Sequence, residues 1–110
     1  MAAAFEIKQA KNKEFYFNLK AGNGETILSS EMYKKKASAK NGIASVQKNS
    51  PDAGRYDRRT NKAGKDYFVL KAANHQIIGQ SEAYNSKRSM ENGIKSVMKN
   101  GPTTKIDDQS

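Results

Sequence analysis

Tyr16-Phe17-Asn18-Leu19-Lys20-Ala21 returns 51 residues later as Tyr67-Phe68-Val69-Leu70-Lys71-Ala72. Carried forward, the same offset superimposes residues 16–51 on residues 67–102 with 20 identities in 36 positions. Among them are Ser30-Glu31 with Ser81-Glu82, Tyr33 with Tyr84, and Asn41-Gly42-Ile43 with Asn92-Gly93-Ile94. An open array of repeats needs three or more units to bury a continuous core, so two units of this size are expected to close on each other. The division falls at residues 1–51 and 52–110, two halves that fold together as one domain and give the monomer an internal pseudo-two-fold.

Within each half the apolar period changes once. Phe5 and Ile7 alternate with Glu6 and Lys8, and Phe15, Phe17 and Leu19 alternate with Glu14, Tyr16, Asn18 and Lys20, the period of two that half-buried strands show. Asn12-Lys13 and Asn23-Gly24 supply turns, the Asn-Gly pair suiting the positive φ values of a tight hairpin, and a third strand follows over residues 25–29. The second half repeats this at residues 56–61, 67–72 and 76–81. Ala39, Ile43 and Val46, and then Met90, Ile94 and Val97, fall at i, i+4, i+7, as one helix face does. Asn49-Ser50-Pro51 and Asn100-Gly101-Pro102 end both helices, because Pro cannot continue one. Each half is thus a β-β-β-α unit, and the fold class is α+β: one antiparallel sheet with two helices packed on one face.

A second helical stripe is made only of small or short polar residues: Ser38, Gly42, Ser45 and Asn49, matched by Ser89, Gly93, Ser96 and Asn100. Gly in a helix interior costs up to about 1 kcal/mol relative to Ala, so its presence in both copies calls for a close neighbour. The two helices are expected to pack side by side along this stripe. Tyr33 and Tyr84 are expected to lie under the helices, with Ser30-Glu31 and Ser81-Glu82 holding free amides at the helix starts.

The stretches Tyr67-Phe68-Val69-Leu70-Lys71-Ala72-Ala73-Asn74, Ile78-Gly79-Gln80-Ser81-Glu82-Ala83-Tyr84 and Asn92-Gly93-Ile94-Lys95-Ser96-Val97 resemble the YegP-like family, small bacterial tandem-repeat proteins of uncharacterised function. The resemblance spans both halves and most of the chain. It implies that a further strand after each helix is exchanged between the halves, which places exchanged strands at residues 55–59 and 103–107. At Lys34-Lys35 the first half departs from the small polar residues that the resemblance leads one to expect before the helix. A fold is implied, and no activity.

Composition excludes much chemistry. The 110 residues hold 35% hydrophobic residues, five Tyr and four Phe at a mean hydropathy of −0.91, enough aromatic and patterned apolar content for a folded domain rather than a disordered one. No apolar run approaches the ~20 residues a membrane span needs, and Met1-Ala2-Ala3-Ala4 leads into Phe5 without a basic and hydrophobic signal segment, so the expected location is the cytoplasm, away from membranes. With no Cys and one His, disulfides, thiolate chemistry and imidazole clusters are absent, and neither a cofactor nor a metal site is expected. His75 falls in a predicted turn where the first half has Gly24, which gives it no counterpart. Ser, Glu and Tyr at a repeated spacing, without His, Lys or an oxyanion hole beside them, do not make a catalytic set. No catalytic residue is assigned, and the protein is not expected to be an enzyme.

Charge is the remaining signal. Lys and Arg number 20 against 11 Asp and Glu, a net +9. The excess concentrates in the two helical segments and in residues 51–65, which bring Arg55, Arg58, Arg59, Lys62 and Lys65 against Asp52 and Asp57. Arg88, Asn92, Lys95 and Lys99 form a stripe at i, i+4, i+7, i+11 suited to a phosphate backbone, whereas the first helix has Ala37, Asn41, Ala44 and Lys48 there. If Phe15, Phe17, Leu19, Phe68 and Leu70 face the core, then Tyr16, Lys20, Tyr67 and Lys71 face away, an arrangement of rings and cations used by single-strand binders. Tyr is also favoured in strands and needs no ligand there. The candidate polyanion-binding residues are therefore Arg88, Lys95, Lys99, Arg58, Arg59, Tyr16 and Tyr67. Two classes follow: a basic non-enzymatic module that binds nucleic acid or another polyanion, or a protein-interaction or homo-oligomerising domain whose charge serves solubility.

Overall fold

The alternating stretches become strands and the i, i+4, i+7 stretches become helices. In the computed structural model, which describes residues 2–110, the chain runs β1 (Ala4–Gln9), β2 (Phe15–Lys20), β3 (Thr26–Ser30), α1 (Lys36–Asn49), β4 (Tyr56–Thr60), β5 (Asp66–Lys71), β6 (Ile77–Gln80), α2 (Lys87–Asn100) and β7 (Ile106–Asp108). All seven strands form one sheet in the order β4-β5-β6-β3-β2-β1-β7. The halves meet where β3 pairs with β6, antiparallel, through Ser29↔Gln80 and Ser30↔Gly79. On either side of that seam the registers match: Phe5↔Leu19 and Ile7↔Phe17 in one half, Tyr56↔Leu70 and Arg58↔Phe68 in the other.

The sheet is mixed rather than wholly antiparallel, because β7 runs parallel to β1. The cause is topological. The chain leaving α1 takes the place beside β5 as β4, and the chain leaving α2 crosses to the first half, where β1 already holds the equivalent place beside β2. β7 therefore adds outside β1. Both segments that follow a helix join the opposite half of the sheet, at residues 56–60 and 106–108.

The hairpin turns differ in kind from the two-residue turn that Asn-Gly suits. Gly24 alone has a positive φ there, 85°, and His75 takes the matching place at 68°. Gly24 N–H donates to Ala21 O and Ala21 N–H to Glu25 O, both at 2.9 Å, which makes a three-residue loop with its last residue left-handed. Asn23 contributes its side chain instead, accepting Glu25 N–H at 3.1 Å, as Asn74 accepts Gln76 N–H at 3.1 Å.

Beneath the helices, Phe5, Ile7, Phe17, Leu19, Phe68 and Leu70 of the sheet are fully buried against Ile43, Val46, Ile94 and Val97. At roughly 1.5–3 kcal/mol for each fully buried side chain, this layer is the main stabilising feature. Phe15, expected in the core, is only half-buried, and the Lys36 ammonium stands 5.9 Å from its ring centre.

The small-residue stripe does not join the helices. They approach at their C-terminal ends, where the fully buried Ser50 stands against Gly101. Along the stripe each glycine faces a tyrosine of its own half. A Cβ at Gly93 would sit 2.8 Å from Tyr84 Cζ, and one at Gly42 would sit 2.9 Å from Phe17 Cε2 and against the Tyr33 hydroxyl. Phe17 and Tyr33 stack at 6.3 Å, as Phe68 and Tyr84 do at 6.4 Å, so each tyrosine does lie under its helix and fills the room a side chain would need. The serines serve the sheet rather than the helix starts. Ser30 Oγ accepts Phe17 N–H at 2.9 Å and Ser81 Oγ accepts Phe68 N–H at 3.0 Å, while both hydroxyls donate at 2.8 Å to the carbonyl of the glutamate that follows. Helix α2 is capped by Ser86, whose hydroxyl accepts Ser89 N–H at 3.1 Å, and Lys35 gives α1 no side-chain cap.

Candidate polyanion interface

The candidate residues separate onto the two faces of the molecule. Arg88, Asn92, Lys95 and Lys99 are all exposed along the solvent side of α2, and at 1.5 Å rise per residue the cations span about 16 Å. Among the described residues none of the three is in an ion pair. Glu91, which neighbours them on α2, is bonded by Arg58: Arg58 Nη2 donates to Glu91 Oε1 at 2.8 Å, and its Nε bonds the other carboxylate oxygen. The Arg58 guanidinium holds the Glu91 carboxyl below its usual range. Both side chains are about half exposed, so the pair adds less than about 1 kcal/mol to stability; Glu91 still feels the charge of Lys95 four residues on, so the pair weakens its compensation of the stripe without removing it.

Alternation along β4 sends Arg58 to the helix side and Arg59 to the other, so the two arginines do not act together. On the uncovered face Tyr16 lies beside Lys8 across the β1–β2 pair and Tyr67 beside Arg59 across the β4–β5 pair. Each tyrosine is half-buried. Each patch also holds a carboxylate. Glu6 is 3.9 Å from Lys8 and 3.6 Å from Lys20; Asp57 is 2.9 Å from Arg59 and 3.4 Å from Lys71. Arg59 and Lys71 hold Asp57 below the usual carboxylate range, chiefly through the Arg59 hydrogen bond. The cations of this face are therefore largely committed within the protein. β2 and β5 are three strand spacings apart, about 14 Å, too far for one base to touch both rings.

Glu6 and Asp57, and Lys8 and Arg59, are matched by the 51-residue offset with their charge kept and their identity changed. An identity match that starts at Tyr16 passes over them, and charge compared upstream would have found them. Ser30, Ser81, Tyr33 and Tyr84 are engaged in structure, as described, and His75 is exposed in its turn. Among the described residues no group of three His, Asp or Glu gathers to hold a metal ion, and no helix is long and apolar enough to cross a membrane.

The family model described as a domain of unknown function, DUF1508, matches twice, over residues 10–57 and 61–108. The UPF0339 protein YegP of Yersinia pestis is 62% identical over 94% of this chain and 93% of its own length. A UPF0339 protein of Acinetobacter baylyi is 58% identical over 98% and 97%. The solution NMR structure of a UPF0339 protein from Shewanella oneidensis superimposes with a TM-score of 0.92 at 56% identity, covering 98% of this chain and 92% of that one. The solution structure of the E. coli protein of unknown function yegP does so with a TM-score of 0.93 at 53% identity, covering 99% and 94%.

Proposed function

The chain belongs to the DUF1508 family, two copies of which it carries in tandem, and from that premise we propose that it is a non-enzymatic module that binds nucleic acid or a similar polyanion through the solvent face of α2. One observation carries the reading: Arg88, Lys95 and Lys99 are exposed, aligned on one helix side and free of ion pairs, while the nearby Glu91 is occupied by Arg58. Phosphates meeting these cations release counterions, which gives affinity with little sequence preference. In this reading the protein works in the cytoplasm as a monomer, its internal pseudo-two-fold standing in for a second subunit. Tyr16 and Tyr67 are left out of the contact, since their neighbouring cations are held by Glu6 and Asp57. A protein-interaction role is supported by a different feature, the open edge of β4.

The test is a fluorescence anisotropy titration of dye-labelled duplex and single-stranded oligonucleotides at low salt. Wild type should bind both, and the triple variant Arg88→Glu, Lys95→Glu, Lys99→Glu should bind neither. Tyr16→Ala and Tyr67→Ala should leave duplex binding unchanged; a loss of about 1–3 kcal/mol confined to single strands would move the site to the sheet face. No binding by wild type at low salt would end the nucleic-acid reading.

A further inference from the structure

Asn-Gly occurs four times in the chain, at residues 23–24, 41–42, 92–93 and 100–101, and the fold treats one of the four differently. Asn41-Gly42 and Asn92-Gly93 lie inside α1 and α2, where both glycines are buried and their N–H groups belong to the helical ladder. At the end of α2, Gly101 is buried and its N–H donates to Val97 O at 2.7 Å, while Asn100 Nδ2 donates to Ser96 O at 2.9 Å. Asn23, Gly24 and Glu25, by contrast, are all exposed in the β2–β3 turn. A single main-chain bond, to Ala21 O, holds Gly24 N–H there, and Asn23 Oδ1 accepts Glu25 N–H at 3.1 Å. The β5–β6 turn is a near copy. His75 N–H donates to Ala72 O at 2.9 Å and Asn74 Oδ1 accepts Gln76 N–H at 3.1 Å, but the residue after this asparagine carries a side chain.

We propose that Asn23 is a modification site, its side-chain amide lost by ring closure onto Gly24 with water as the only other reactant. The Gly24 main-chain nitrogen gives its proton to solvent base and attacks Asn23 Cγ; the bond from Cγ to the side-chain nitrogen breaks, and ammonia leaves with a proton taken from solvent. Water then opens the cyclic imide at either carbonyl, giving aspartate or isoaspartate. The surface bond from Gly24 N–H to Ala21 O opens locally, whereas a helix interior opens only together with its neighbours. Glu25 N–H already sits on the oxygen that gains negative charge when Cγ is attacked. Gly24 has no Cβ to crowd the attacking nitrogen and turns freely into the ring geometry. His75, at a φ of 68°, sets a Cβ in the same place, so Asn74 keeps its amide. Either product adds a carboxylate beside Glu25, and isoaspartate also adds a methylene to the main chain, which the three-residue loop closed by Ala21 cannot take up without changing shape.

The test is to incubate the folded full-length protein at mildly alkaline pH, digest it at acid pH and map the peptides by mass spectrometry. The peptide holding Asn23 should exchange the mass of NH for that of oxygen and split into two chromatographic forms, while those holding Asn41, Asn92, Asn100 and Asn74 convert at least about tenfold more slowly. In guanidinium, Asn41, Asn92 and Asn100 should convert as fast as Asn23, because the fold alone protects them, and Asn74 should stay slow. Gly24→His should preserve the Asn23 amide, and His75→Gly should make Asn74 as labile as Asn23. Folded protein in which Asn23 keeps its amide as long as Asn41 does, equal rates at the four Asn-Gly pairs, or an inert Asn74 in the His75→Gly protein would overturn the proposal.

Discussion

Gly93 has Tyr84 where a side chain would begin, so Gly93→Leu must displace the ring, the helix or both. Overpacking of this kind costs about 1–3 kcal/mol, more than the roughly 1 kcal/mol that helix propensity returns, and the urea midpoint should fall. A higher midpoint would mean that the position opens to water. Tyr56 makes a second residue-scale prediction. Its hydroxyl donates to Ser50 O at 2.7 Å in a buried setting, so Tyr56→Phe strands a carbonyl and should cost about 1–3 kcal/mol. Burial also raises the Tyr56 pKa far above that of a free tyrosine, and burial raises those of Tyr33 and Tyr84 as well. A group whose folded pKa is raised contributes stability below its unfolded pKa, near 10 for tyrosine, and loses it as pH climbs toward the folded value. Unfolding free energy should therefore decline above about pH 10, and Tyr56→Phe should make that decline shallower. An identical alkaline slope in the variant would contradict this account of the Tyr56 environment.

At the scale of elements, the two helices offer a matched comparison. Helix α1 starts at Lys35 without a side-chain cap, with Lys34, Lys35 and Lys36 crowded at its positive end, whereas α2 has Ser86. Lys35→Ser should stabilise by about 1 kcal/mol and Ser86→Ala should destabilise by a similar amount, read from melting midpoints. If neither substitution moves the midpoint, the caps do not limit stability. Three strands and a helix in each half were legible in the sequence because a change of period from two to 3.6 is a property of consecutive side chains. What lay beyond its reach depends on neighbours distant in the chain. A stripe of small residues signals that something comes close without saying whether it is a helix or the Tyr33 and Tyr84 rings. β7 is short and exposed throughout, so no alternation marks its boundaries, and its parallel direction follows only from β1 already occupying the place beside β2. Of the candidate site, the α2 stripe was readable from helical spacing and the division of Arg58 from Arg59 from the alternation of their strand, but the ion pairs by which Glu6 and Asp57 hold the sheet-face cations were not, because they join residues on neighbouring strands.

For the whole molecule, the halves interlock rather than merely abut: α1 lies against β5 and β6 as well as β2, and α2 lies against β3 as well as β5. A fragment of residues 1–52 would bare both the β3 edge and the apolar face that the second half covers, so it should dimerise or remain unfolded. A well-dispersed NMR spectrum from a monomeric fragment would contradict that. The central functional claim, that uncommitted cations on α2 meet phosphates, is tested most directly by the salt dependence of duplex binding. With Arg88, Lys95 and Lys99 each neutralising one phosphate, a plot of log affinity against log salt should have a slope of about −2.7 for any duplex sequence. A slope near zero, or no measurable binding at the lowest salt, would contradict it.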